Sequence, residues 1–179
     1  MSAALALVGV ALDAIAAVFR AAIALLLLAM LSINTVNLVS RSFFGEAFDW
    51  VFHWTILMFV WMVCLGFYVY VRANRDVVVD LIASRLPALA RRTLAVAADM
   101  IGLVFMYMVL SPASQLIAMQ TGNMESIALP IYFQTLPLVF SATCLGVHFS
   151  LHALLVLTGE IDPFNTAVPH AAIDLKDTE

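Results

Sequence analysis

Charged residues are scarce in this chain of 179 residues. Asp, Glu, Lys and Arg together make up 11% of it, whereas soluble domains carry about 25%. A soluble domain needs a solvated surface, and here 64% of the residues are hydrophobic. The composition therefore excludes a soluble globular domain and indicates an integral membrane protein.

Basic residues, cysteines and catalytic motifs are also few. Eight Lys and Arg are outnumbered by twelve Asp and Glu, and no basic cluster alternates with aromatic residues, which excludes nucleic-acid binding. Both cysteines, Cys64 and Cys144, lie in hydrophobic runs and are expected to pack as small apolar residues. No glycine-rich phosphate loop, Ser/His/Asp set, catalytic carboxylate pair or zinc-ligand spacing is present. We therefore expect neither an enzyme nor a cofactor.

Four long uncharged runs set the architecture. They cover residues 21–40, 50–71, 100–124 and 126–159. A helix needs about 20 residues to cross a hydrocarbon core, so each run is long enough. Pro130 suits a first helical turn and Gly159 a helix end, which places the fourth helix between them. The predicted spans are 21–39, 50–71, 94–118 and 131–157.

Arginine placement predicts the orientation of these spans, because Lys and Arg are retained on the cytoplasmic side. The segment between the second and third spans holds five arginines: Arg72, Arg75, Arg85, Arg91 and Arg92. The loop after the first span holds only Arg41, and the loop before the fourth holds none. Both termini are therefore predicted to be cytoplasmic. Trp50 and Trp54 at the outer end of the second span, and Tyr68 and Tyr70 at its inner end, fit interfacial aromatic belts.

Three further segments complete the expected organisation. Residues 1–20 are predicted to form a separate helix on the membrane surface, because Asp13 is costly at mid-membrane and one helix from Ala3 to Val39 would exceed the bilayer. Residues 72–93 are predicted to form a cytoplasmic amphipathic segment, and 160–179 a cytoplasmic tail. The expected fold class is thus an all-α membrane protein with four transmembrane helices, interfacial amphipathic helices and both termini cytoplasmic.

Few polar residues fall inside the spans. His148 and His152 are four residues apart and could present two imidazoles to one metal, but no Cys or carboxylate accompanies them. A polar contact near the cytoplasmic end is therefore favoured over a metal or haem site. Asp99 could take part in a proton relay, because a carboxylate is uncommon inside a membrane span. The favoured interpretation is that Asp99 is hydrated or paired close to Arg91 and Arg92.

The stretch from Asn37 to Pro87 resembles the DctQ-like small membrane subunit of tripartite ATP-independent periplasmic (TRAP) transporters. The resemblance is carried by ordered positions in the first two spans and the segment after them: Asn37, Arg41, Trp50, Trp61, Leu65, Gly66, Arg72, Asp80 and Pro87. Residues 126–137, with Pro130, Tyr132 and Pro137, are similar to the family as well. Phe52, His53, Ile56 and Asp76 replace residues that are polar or charged in the family pattern.

The resemblance implies a function. In such systems a periplasmic binding protein captures an organic anion, and a large multi-span subunit carries it inward, driven by a sodium gradient. The small subunit of the inner membrane transports nothing itself and serves as a scaffold for the large subunit. The expected partners are therefore the large permease subunit, the periplasmic binding protein and membrane lipids, and nucleic acid is not expected.

The candidate site residues are assigned to partner contact or membrane anchoring. They are Asn37, Arg41, Trp50, Trp54, Trp61, Gly66, Arg72, Arg75, Asp80, Arg91 and Arg92. Glu46 and Asp49 are candidates for periplasmic docking, with ordinary loop solvation as the alternative. Two rival functions stay open: a membrane anchor of a respiratory oxidoreductase, and a self-contained small exporter, although 21–40 lacks the embedded carboxylate such exporters need.

Overall fold

The computed structural model of the chain describes residues 3–73, 87–124 and 127–159. Within these ranges the chain is almost entirely helical. Its elements are α1 (Ala3–Phe44), α2 (Asp49–Arg72), α3 (Ala88–Leu110), α4 (Ala113–Met119), a 3₁₀ helix (Ile131–Gln134) and α5 (Leu136–Thr158). An isolated bridge pairs Asn123 with Pro130 in the connection before the 3₁₀ helix.

Four helical stretches are long and apolar enough to cross a membrane. Within the described ranges they are Leu7–Phe44, Asp49–Arg72, Leu89–Met119 and Ile131–Thr158. The prediction of an all-helical protein with four long apolar helices is therefore confirmed. The cytoplasmic location of the termini and the interfacial helices stay predictions.

The first helix differs from the sequence-based expectation. We expected a helix end near residue 20, but α1 runs unbroken from Ala3 to Phe44. Its 42 residues extend about 63 Å at about 1.5 Å per residue. No proline occurs in it, and the alanine- and leucine-rich sequence around residue 20 favours the helix, so nothing local interrupts it. Length relative to the bilayer does not by itself end a helix.

The third span is interrupted near its far end, where we expected one helix over 94–118. Pro112 separates α3 from α4, because proline has no N–H to donate and its ring clashes with the preceding turn. The backbone N–H of Ser111 still bonds to the carbonyl of Tyr107, and that of Leu116 to the carbonyl of Pro112. The interruption is therefore a break of two residues, Ser111 and Pro112, between α3 and α4.

The last span begins and ends at residues suited to these positions. Pro130, in extended conformation, precedes the 3₁₀ helix, and α5 then continues from Leu136. Gly159 caps α5 with a φ of 74°, in the left-handed region where glycine carries no steric penalty. Arg92 of α3 lies beside this glycine, so the start of α3 packs against the end of α5.

The helices form two hairpins that meet along one seam. α1 packs against α2, α3 packs against α5, and the main contact between the two hairpins joins α2 to α5. The shared core contains buried side chains from α1, α2, α3 and α5. They include Leu12, Phe19, Leu65, Tyr68, Met106, Ala142, Leu145 and Leu151. The seam between α2 and α5 is where polar side chains from all four long helices can meet.

Several predictions from the sequence fall on residues outside the described ranges. These include most of the amphipathic segment 72–93, the tail 160–179, and the positions Arg75, Asp76, Asp80 and Arg85.

Candidate functional site

Five polar side chains from four helices converge inside the candidate spans. We call Asp13, Arg72, Asp99, His148 and His152 the polar cluster; they belong to α1, α2, α3 and α5. Ionisable residues within membrane-spanning helices are costly unless they are paired. The contacts of each member therefore show how the chain accommodates them.

Arg72 is the centre of one half of the polar cluster. Its Nε donates to Oδ1 of Asp13 at 2.9 Å, and Nη2 lies 2.8 Å from the same oxygen. Nη2 also donates to the carbonyl oxygen of Gly9 at 3.1 Å. The guanidinium is thus held by α1, and the fork geometry of arginine permits these simultaneous bonds. The sequence predicted that Arg72 anchors the chain at lipid headgroups; the structure pairs it with other helices of the same subunit.

Arg72 also determines the protonation state of the His148 imidazole. Its Nη1 donates to Nδ1 of His148 at 2.9 Å. Arginine has no acceptor and stays protonated, so Nδ1 must supply a lone pair. His148 is therefore neutral in this arrangement, with its proton on Nε2. His148 is also buried, at 5% exposure, so the contact lies in the seam between α2 and α5.

The other half of the polar cluster joins α3 to α5. Nδ1 of His152 donates to Oδ2 of Asp99 at 2.8 Å, and the Asp99 side chain is only 7% exposed. The rings of His148 and His152 lie 6.2 Å apart, one turn from each other on α5. The sequence favoured hydration of Asp99 or pairing near Arg91 and Arg92. The partner is instead His152, which comes from the helix that packs against α3.

Tyr68 lies one helical turn before Arg72 on α2, beside the polar cluster. The sequence placed it in an interfacial aromatic belt, but its exposure is 0%. Its hydroxyl donates to the carbonyl oxygen of Leu12 at 3.0 Å, and its ring packs edge-on against Phe19 at 5.3 Å. Tyr68 therefore fastens α2 to the N-terminal half of α1. A buried tyrosine needs such a partner for its hydroxyl.

Trp61 and Gly66, both predicted to contact the large subunit, contact elements of this subunit. Nε1 of Trp61 donates to the carbonyl oxygen of Phe133 at 3.1 Å, and the two rings lie 5.7 Å apart. A Cβ on Gly66 would meet Cδ1 of Ile23 at 3.9 Å. Trp61 thus positions the start of the fourth span, and Gly66 lies where α1 crosses α2.

Asn37 and Asn34 tie α1 to the beginning of α2. Oδ1 of Asn37 accepts a bond from the backbone N–H of Phe48 at 2.8 Å. Asn34 donates to Oγ1 of Thr55 at 2.8 Å and to the carbonyl of Met30. Interhelical amides of this kind contribute about 0.6 kcal/mol on average in membranes. The α1–α2 hairpin is therefore held at both ends, by these amides and by Arg72.

The remaining predicted residues lie at the helix ends. Arg41 is in the last turn of α1, and Glu46, Asp49 and Trp50 are exposed in or beside the turn that follows. Trp54 is half-buried in α2. Arg91 is half-buried and Arg92 exposed in the first turns of α3. The structure thus leaves the two acidic candidates for periplasmic docking, Glu46 and Asp49, accessible.

The polar cluster can fasten helices together, but its geometry does not resemble a ligand site. The two Nδ1 atoms of the histidines are already bonded, one to Arg72 and one to Asp99. Across residues 3–73, 87–124 and 127–159, no three His, Cys, Asp or Glu side chains are grouped so that they could hold a metal ion. Large apolar side chains remain exposed on every long helix, for example Leu28, Phe52, Ile101 and Leu157. These faces can contact lipid or another membrane protein.

Comparison with known protein families identifies a family model that covers most of the chain. The family model described as "Tripartite ATP-independent periplasmic transporters, DctQ component" matches residues 30–159. This range includes Arg72, Asp99, His148 and His152, whereas Asp13 and Gly9 precede it. Comparisons with curated proteins and with solved structures give no significant match.

Proposed function

The chain belongs to the DctQ component family of tripartite ATP-independent periplasmic transporters, and from this we propose that it is a non-transporting scaffold that binds the large membrane subunit. In this role it supports sodium-driven uptake of an organic acid that a periplasmic binding protein delivers. The family is a transporter component, and four apolar helices are long enough to make this chain a multi-pass membrane protein.

The observation that carries the scaffold proposal is the pairing of ionisable side chains from different helices within the subunit. Asp13 bonds to Arg72, and Asp99 bonds to His152. A transport site instead needs polar groups that are available to the substrate or coupling ion, commonly at broken helices near the bilayer midplane. The paired charges here favour a static role, in which they hold helices together.

We also propose the location and the orientation. The chain lies in the bacterial inner membrane with both termini in the cytoplasm, which the concentration of arginines between the second and third spans supports. In this orientation Arg91 and Arg92 lie at cytoplasmic headgroups. Each basic residue near an anionic membrane surface contributes about 1 kcal/mol to membrane binding. The turn with Glu46 and Asp49 then faces the periplasm, where it can contact the binding protein.

Under this proposal the residues assigned to partner contact act indirectly, by shaping the surface that meets the large subunit. Trp61 and Gly66 shape the surface, because they position the fourth span and the α1–α2 crossing. The exposed apolar faces of the long helices make the contact itself. Asn37, Arg41, Trp50 and Trp54 keep the outer ends of α1 and α2 in place.

Co-purification tests the proposal most directly. The tagged chain is extracted from its native membrane in mild detergent, and mass spectrometry identifies stoichiometric partners. We expect one large multi-span permease subunit. Recovery of flavin, haem or iron–sulfur subunits would overturn the proposal and identify a respiratory anchor instead.

Reconstitution then tests whether this chain transports the substrate itself or only supports the large subunit. Liposomes that contain both membrane subunits and the loaded binding protein should take up the organic acid only with an inward sodium gradient. Liposomes with this chain alone should show no uptake above protein-free liposomes. Transport by this chain alone would contradict a scaffold role even if the large subunit co-purifies.

A further inference from the structure

Arg20 lies on the surface of α1 without a partner. Its side chain is exposed, and within the part of the chain that the structure describes no hydrogen bond or ion pair reaches it. Large apolar side chains are exposed along the same helix on both sides of it, Leu7 and Val10 before it and Leu27 and Leu31 after it. A guanidinium in such apolar surroundings is costly unless an anion neutralises it. Arg20 therefore requires a counter-charge.

The depth of Arg20 follows from the contacts of its neighbour in the chain, Phe19. The ring of Phe19 packs against the ring of Phe140 on α5 at 5.7 Å. Phe140 precedes Gly159, which caps α5 beside Arg92, by 19 positions, or about 28 Å along the axis. In the proposed orientation Arg92 lies at the cytoplasmic headgroups, so Arg20 lies deep inside the span. An arginine side chain is shorter than two helical turns, about 11 Å, and does not reach a lipid phosphate from this depth.

The acidic side chains of the described helices do not supply this counter-charge. Asp13 is seven positions before Arg20 and therefore lies on the same face of α1, but it already bonds to Arg72. One carboxylate cannot balance two guanidinium groups, so one positive charge remains on this face. Asp99 lies in the other hairpin, where it is bonded to His152. The anion that pairs with Arg20 therefore comes from another molecule.

A carboxylate on a neighbouring membrane protein fits these requirements. It carries one negative charge, it can lie at this depth when two proteins pack together in the membrane, and it accepts the two parallel N–H bonds of a guanidinium. We propose that Arg20 forms an ion pair with an Asp or Glu in a membrane span of the large subunit. The contact surface is then the Arg20 face of α1, with the exposed residues Arg20, Ala24, Leu27 and Leu31. This inference rests on the proposed scaffold function and adds the location and the chemistry of the contact.

Substitution of Arg20 tests the ion pair. Arg20→Leu removes the charge and Arg20→Lys keeps it, and each tagged chain is purified in mild detergent with the large subunit that it retains. We expect Arg20→Leu to recover about ten-fold less large subunit and Arg20→Lys to recover most of it. The unfolding midpoint of the isolated chain should not be lowered, because Arg20 bonds to nothing in the described part of this subunit. Equal recovery with Arg20→Leu would overturn the proposal, whereas an unmodified chain that recovers no permease subunit would overturn the scaffold function itself.

Photo-crosslinking locates the contact without changing Arg20. A benzophenone amino acid replaces Leu27 on the Arg20 face or, as the matched control, Leu25, which is also exposed but lies about 160° away around α1. We expect Leu27 to crosslink to the large subunit several-fold more than Leu25, at a membrane span that contains Asp or Glu. Equal crosslinking from both positions, or a crosslinked span without an acidic residue, would contradict the proposal. A phospholipid crosslinked at Leu27 in place of protein would overturn it in favour of a lipid-facing surface.

Discussion

Arg72 on α2 and His148 on α5, separated by 76 positions in the chain, share a hydrogen bond of 2.9 Å. The bond crosses the seam between the two hairpins, and the same guanidinium also holds Asp13 and Gly9 of α1. Arg72 therefore connects three helices at one point. Arg72 was expected to lie at lipid headgroups, but it bonds to two other helices of the same subunit. Its substitution therefore tests how much these bonds stabilise the fold.

Replacing Arg72 should cost far more stability than replacing its acidic partner. Arg72→Met leaves the buried His148 and the carbonyl of Gly9 without a donor, and we expect a loss of about 2 kcal/mol. Asp13→Asn should cost less than about 1 kcal/mol, because the Asp13 side chain is 68% exposed. Thermal unfolding of both variants in the same detergent shows which of the two loses more stability. A larger loss for Asp13→Asn would show that the ion pair, not the seam, is the main contribution of Arg72.

At position 148, an acceptor should matter more than an imidazole. His148→Gln offers an amide oxygen to Nη1 of Arg72, so its unfolding midpoint should stay near that of the unmodified chain. His148→Leu has a similar bulk without an acceptor and should lose about 1–3 kcal/mol. Equal midpoints for the two variants would mean that the bond at 2.9 Å adds nothing to the packing at the seam.

Asp99 and His152 should show strong energetic coupling. His152→Ala leaves a carboxylate at 7% exposure without its partner and should lose about 3 kcal/mol, more than Asp99→Ala. The double variant should recover part of this loss, with a coupling energy of about 0.5–3 kcal/mol in a double-mutant cycle. Additive losses would contradict a direct interaction between the two side chains.

Two glycines on packed helices should respond to alanine in opposite directions. A Cβ on Gly102 would lie 2.9 Å from the ring of Phe149, so Gly102→Ala should cost about 1–3 kcal/mol and separate α3 from α5. Nothing lies within 4 Å of a Cβ on Gly146, so Gly146→Ala should stabilise α5 by about 0.5–1 kcal/mol. The two unfolding midpoints should therefore shift to opposite sides of the unmodified value. A higher unfolding midpoint for Gly102→Ala would show that the Phe149 ring moves aside without loss of stability.

Altered bulk at Trp61 or Gly66 should reduce recovery of the large subunit. Trp61→Ala removes the bond to the carbonyl of Phe133, and Gly66→Leu pushes Ile23 of α1 away from α2. Both changes deform the helix faces proposed to contact the partner. The measurement is the amount of large subunit recovered with each tagged variant, with Gly146→Ala as the control. Substrate binding by the isolated periplasmic protein should be unchanged, and full recovery of the large subunit with both variants would contradict the proposed role.

The number of apolar helices could be read from the sequence because the membrane imposes a simple constraint. A crossing helix needs about 20 uncharged residues, and four such runs are present. The last helix could also be bounded, since Pro130 and Gly159 have backbone preferences that favour its start and its end. The break at Pro112 was not predicted, although a proline inside a helical run favours one.

The polar cluster could not be predicted in the same way. Pairing of Arg72 with His148 depends on the vertical offset between the two hairpins, and no local pattern encodes this offset. The i, i+4 spacing of His148 and His152 correctly placed both on related faces of one helix, yet they bond to different helices. For α1, the absence of any proline was the informative signal, and the bilayer-length argument overrode it wrongly.

The unbroken α1 has a mechanical consequence. A hinge near residue 20 would let the two halves of the helix move separately. Without one, α1 is a single rod of about 63 Å that α2 holds at both ends, through Asn34 and Asn37 near Glu46 and through Gly9, Leu12 and Asp13 at the far end. Displacement of the turn around Glu46 is therefore coupled to the bonds of Tyr68 and Arg72, some 45 Å away along the helix axis.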